Sequence, residues 1–168
     1  GERIGDGRGN AIRTLALALH ALAQEGDVEL VSLTGGTARN AIPPTAEAIV
    51  RTAMDERSIA RLLAAEEKRF HAIYGEADPA MKFTLHPAHE AGRVIGAQEQ
   101  RALIDLLVLL RTGVHAMTHT QTGGVETSAN LGVVRMDENE VHVAFFPRSS
   151  VNERLDEIVC ETETLAAL

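Results

Sequence analysis

Gly124-Val125-Glu126-Thr127-Ser128-Ala129-Asn130-Leu131-Gly132-Val133-Val134-Arg135-Met136 and Glu140-Val141-His142-Val143-Ala144-Phe145-Phe146-Pro147 read as two strands joined by the turn Asp137-Glu138-Asn139. A hairpin is marginal in water unless another layer covers it, so its flanks decide the architecture. Upstream, Leu103, Ile104, Leu107, Val108 and Leu110 put an apolar helix over about 97–111, followed by a polar loop. Downstream, Asn152 is the expected cap of a last helix carrying Leu155, Ile158, Val159, Thr162 and Leu165. The order is helix, strand, strand, helix.

The same order runs through the first half. The opening Gly1–Asn10 holds four glycines and reads as a loop. Asn10 then caps a helix with Ile12, Leu15, Ala16, Leu19, Leu22 and Ala23 at helical spacing, closed by Gly26-Asp27. Residues 28–34 alternate as a strand and meet the turn Gly35-Gly36. A second strand is expected from near Asn40 to about Met54, starting at an edge or bulge because Pro43 and Pro44 lack the donors a ladder needs. A helix with Ile59, Leu62, Leu63, Phe70, Ile73 and Tyr74 on one side follows, ended by Gly75 and Pro79. Met81, Phe83 and Leu85 alternate with Lys82, Thr84 and His86, so a strand over 81–86 introduces the second set. By the same logic a strand belongs before residue 1, and the chain is expected to be a fragment. The expected class is α+β: a two-layer sandwich, helices on one face of a mainly antiparallel sheet. Its two pseudo-repeated helix–strand–strand–helix halves, about 1–78 and 79–168, form a single domain.

Composition narrows the function. Apolar residues make up 45%, with four Phe, one Tyr and no Trp, so the core must be aliphatic. A net charge of -8 argues against nucleic acid as a partner, and no apolar run is long enough to span a membrane. The single cysteine, Cys160, excludes an internal disulfide, suits a reducing cytoplasm, and is expected to fill core space within its helix.

Seven histidines invite a search for metal sites. His86 and His89 form one close pair, and His115 and His119 another with the i, i+4 spacing of a helical zinc pair. Ala116 stands where that motif needs a glutamate, and no third ligand is tied to either pair, so solvated loop histidines are expected. Serine-type catalysis has no Gly-x-Ser-x-Gly elbow to support it. The glycines before Asn10 do not have dinucleotide-fingerprint spacing and read as a flexible connection. Two polar residues stand out. Asn40 follows the glycine turn and precedes Ile42-Pro43, where it is either a ligand contact or a turn residue bonding its own backbone. Arg148 ends the apolar strand Val141–Phe146, as a carboxylate grip or as an exposed strand-end charge.

Four segments, in order, resemble one family. Ile4-Gly5-Asp6-Gly7-Arg8-Gly9-Asn10-Ala11 is similar to the segment after the His-Ser-Gly motif of aminoacyl-histidine dipeptidases. Thr34-Gly35-Gly36-Thr37-Ala38-Arg39-Asn40-Ala41-Ile42-Pro43, Gly124–Val134 and Phe146-Pro147-Arg148-Ser149-Ser150 resemble later elements of the same enzymes. The resemblance implies the lid, or dimerisation, domain of a cytoplasmic metallopeptidase that hydrolyses Xaa-His or other dipeptides, in the clan that also holds carnosinases and aminoacylases. It implies two divalent metal ions, commonly zinc, in a catalytic domain outside these 168 residues, so no metal or catalytic residue is expected here. It implies a homodimer through the lid, and binding of the substrate carboxylate by Arg148 and Asn40. Only Gly1 matches the His-Ser-Gly motif, so none of the seven histidines inherits its histidine's role. The alternative is a freestanding α+β ligand-binding or dimerisation module without hydrolase function.

Overall fold

The computed structural model describes residues 4–88, 92–119, 123–137 and 140–167. Helix α1 (Ala11–Glu25) is rich in Ala and Leu, strong helix formers, and starts where the Asn10 side chain accepts a hydrogen bond from Arg13 N at 3.1 Å. Strands β1 (Val28–Gly35) and β2 (Ala46–Thr52) pair antiparallel. Helix α2 (Glu56–Tyr74), helix α3 (Ala97–Leu109), strands β3 (Gly113–Met117), β4 (Val125–Met136) and β5 (Val141–Ser149), and helix α4 (Asn152–Ala166) complete the order. All five strands join in one antiparallel sheet, and the fold class is α+β.

The long strand β4 organises that sheet. One edge pairs with β5 from Thr127↔Ser149 to Met136↔Val141. The other edge is shared: β3 takes its beginning, from Val125 to Ala129, and β1 takes Val134 and Arg135 near its end. Strand β1 diverges beyond that contact, leaving backbone groups that need partners. Gln100 of α3 supplies them, accepting from Leu30 N at 2.6 Å and donating to Val28 O at 2.7 Å, while Ile95 N donates to Leu30 O. The core is continuous across both halves of the chain. Ile12, Ala16 and Leu19 of α1 pack with Leu103, Ile104 and Leu107 of α3 over Leu30, Leu33, Leu131 and Val134 of the sheet.

Several expectations change. Residues 81–86 form no strand; Met81 O meets His71 Nε2 at 2.9 Å and Phe83 N donates to Glu67 Oε2 at 2.9 Å. Side chains of α2 thus take the place of a strand partner. The second strand begins at Ala46 rather than near Asn40, because Pro43 is buried and its carbonyl ties back to Ala11 N at 3.2 Å. The region read as a polar loop after α3 contains β3, so three strands rather than two lie between α3 and α4. Asn152 is the first residue of α4 and makes no side-chain cap; Ser149 Oγ accepts from Val151 N at 3.0 Å instead. Cys160 is exposed rather than core-filling, on the side of α4 turned away from its one buried residue, Ile158. Of the expected hairpin turn, Glu138 and Asn139 lie outside the described residues; Asp137 N donates to Glu140 O at 3.0 Å.

Candidate functional site

The floor of a cavity of about 430 Å³ is one face of the β4–β5 pair. Ser128 stands opposite Arg148 and Asn130 opposite Phe146, and alternate strand residues share a face, so all four line the cavity. Asn40, Ala41 and Ile42 form one wall, with Ile4, Arg8 and Ala129 completing the lining. Asn40 and Arg148 are therefore brought together from opposite ends of the chain.

The wall is held by close backbone approach. Gly36 has φ +68, and a side chain there would collide with the Gly132 carbonyl. Gly132 lies at the irregularity of β4, where an added Cβ would come 2.5 Å from Arg39 Cα. Each glycine makes room for the other's strand or turn. Above this contact Asn130, 5% exposed, donates through Nδ2 to Ala41 O at 2.7 Å and to Arg39 O at 3.1 Å. Its Oδ1 accepts from Asn10 Nδ2 at 3.3 Å, and Asn10 Nδ2 also reaches Leu131 O at 2.9 Å. Arg39 stacks its guanidinium 5.3 Å from the centre of the Phe146 ring, within cation–π range.

The electrostatics run against the chain as a whole. Among the described residues, two guanidinium groups and no carboxylate line the cavity of a protein with net charge -8. Arg8 is engaged by Asp78 at 3.3 Å, whereas Arg148 is exposed and forms no ion pair among the described residues. The arrangement suits an anionic ligand with polar contacts from Asn40 and Ser128 and an apolar surface at Phe146 and Ile42. A second groove, of about 620 Å³, shares Arg8 and Ile42 but contains neither Asn40 nor Arg148.

The histidines are distributed otherwise. His115 lies in β3 and His119 two residues past its end, so the helical i, i+4 geometry is not formed; an extended chain separates such residues by roughly 13 Å. His86 is exposed, and His89 lies outside the described residues. Among the described residues no group of three or more His, Cys, Asp or Glu is placed to hold a metal ion. The cavity contributors that sequence reasoning assigned no role are Asn130, Ser128, Phe146 and Arg8. The one available signal was a polar Asn130 between the apolar Ala129 and Leu131 of the strand.

Residues 3–77 match the family model described as a peptidase dimerisation domain. The relatives are more particular. Over its whole length the chain is 30% identical to the cytosol non-specific dipeptidase of Escherichia coli, of which it covers 35%. The crystal structure of aminoacylhistidine dipeptidase from Vibrio alginolyticus matches with a TM-score of 0.90 at 30% identity, over 99% of this chain and 34% of that one. The chain is thus similar to a peptidase dimerisation domain over its first half and to dipeptidases along its length, and spans about a third of the length of the relatives it matches. Among the described residues no helix is long and apolar enough to cross a membrane.

Proposed function

We propose that this chain is the substrate-covering lid and dimerisation domain of a cytoplasmic, metal-dependent dipeptidase acting on Xaa-His or other dipeptides. The observation that carries the reading is the convergence of Arg148 and Asn40 on one cavity that no carboxylate among the described residues lines. Arg148 offers the planar two-point donor set that fits the C-terminal carboxylate of a dipeptide, and Asn40 adds a neutral polar contact beside it. By the likeness to dipeptidases, two divalent ions would be held in a catalytic domain outside these 168 residues. There they would activate water and polarise the peptide carbonyl. The lid holds and orients substrate, and alone it is inactive.

A second copy of the chain is the expected macromolecular partner. Among the described residues β2, β3 and β5 each leave one edge without a strand neighbour, and an unpaired edge is a template for pairing. Sedimentation showing monomer alone at high protein concentration would contradict a homodimer.

Arg148→Ala in the complete peptidase tests the site. It should raise KM more than it lowers kcat, at a cost on the order of 2–5 kcal/mol in substrate binding. Lys at this position should recover part of the loss, because charge returns without the planar grip. Unchanged kinetics on dipeptides and on their C-terminal amides would make Arg148 an ordinary surface charge and remove the carboxylate-binding reading of the cavity.

A further inference from the structure

Asn130 makes three hydrogen bonds, and two of them go to the carbonyls on either side of Asn40, those of Arg39 and Ala41. A buried carboxamide must satisfy its donors and acceptor or lose the hydration it gave up. This one does so by binding two separate parts of the chain at once: the loop carrying Asn40, and the Asn10 cap at the start of α1. It also shares a strand face with Ser128, whose register partner is Arg148. One side chain therefore ties the loop of Asn40 to the strand pair that carries Arg148.

We propose that Asn130 is a positioning residue that sets the placement of Asn40 relative to Arg148, and through it the selectivity for a substrate with a free C-terminal carboxylate. The proposal rests on the carboxylate-binding reading of that cavity. The chemistry is specific to an amide. Aspartate has the same shape and can still accept from Asn10 Nδ2, but it cannot donate to the two carbonyls and would set an anion against them. Leucine fills the volume and makes none of the three bonds.

The test compares Asn130→Asp, Asn40→Ala and Arg148→Ala in the complete protein, with Ile158→Ala on α4 as a control for loss of stability alone. Two quantities are read: amide hydrogen exchange of residues 39–41, and the ratio of kcat/KM for a dipeptide to that for its C-terminal amide. Asn130→Asp should speed exchange at Ala41, whose N–H bonds Ala38 O within the loop, by about 10–100-fold, the range expected when the loop's bonds to a buried group are lost. The exchange of Val134 in the β4–β5 ladder should stay unchanged. The carboxylate preference should fall by about tenfold or more, mostly through KM, with little further loss when Asn40→Ala is added. Ile158→Ala should lower the melting temperature and leave the preference intact. Unchanged exchange of the 39–41 amides in Asn130→Asp overturns the proposal. So does loosened exchange with an intact carboxylate preference, provided that Asn40→Ala and Arg148→Ala abolish it. If those two variants themselves leave the preference intact, the carboxylate reading of the cavity fails, and the selectivity role of Asn130 with it. The anchoring of the loop is then judged by exchange alone.

Discussion

Helices α1 and α4 are each 15 residues long and amphipathic, yet they end in different environments. Helix α1 buries Ile12, Thr14, Ala16, Ala18, Leu19 and Leu22; helix α4 buries only Ile158. The difference lies in their neighbours. Helix α1 packs against α2, α3 and strands β1, β2 and β4, whereas α4 packs chiefly against β5. An apolar stripe states that a helix has something to bury, and tertiary placement decides how much of it is buried. The same contrast separates structure from site, because α1 begins at Asn10, beside the cavity, and α4 has no residue in its lining.

Substitutions can break this contrast. Ile12 is fully buried, in a position where its side chain lies against Gly35 of β1. Ile12→Ala should cost about 3–5 kcal/mol and sharply lower the denaturant midpoint, since closely packed surroundings collapse little around a cavity. Ile158→Ala removes the same atoms from a site with fewer neighbours, and about 2 kcal/mol is expected. Equal losses at the two positions would mean that α4 is packed as completely as α1, for instance under a second copy of the chain.

Smaller effects sharpen the same point. Cys160→Ser should change stability by less than about 0.5 kcal/mol, and the thiol should react with an aromatic disulfide reagent without unfolding. A thiol that is protected until the protein denatures would show that the face is covered in solution. The smallest effect concerns the cap of α2. Asp55 accepts from Ser58 N at 3.0 Å and Ser58 Oγ at 2.7 Å, and the Ser58 side chain, with the backbone bond to the same residue, holds its carboxyl below the usual carboxylate range. A carboxyl depressed on folding stabilises above its unfolded pKa, and the gain is lost as pH falls through the folded value. Melting curves of the parent and Asp55→Ala should therefore differ slightly at neutral pH and converge in acid.

Local rules carried far along the chain. Asn10 as a cap, the helical stripes, the glycine turn and the long hairpin are set by contacts within a few residues, and such patterns are written directly in neighbouring side chains. The two polar residues singled out by position, Asn40 and Arg148, do share a cavity. Alternation misled at Met81–His86, where the period-2 pattern is real but the partner is a helix side chain. It also missed β3, whose pairing with β4 passes through irregularities that blur the period.

What residue patterns settled by themselves was the class of each long element and the polar positions worth watching, because propensity, capping and period act over short distances. Only the tertiary structure decided which edge of β4 each strand occupies, that Gly36 and Gly132 make room for one another, and that Asn130 reaches both carbonyls flanking Asn40. These relations join residues far apart in the chain, where side-chain preference no longer acts and steric fit and hydrogen-bond satisfaction select the arrangement.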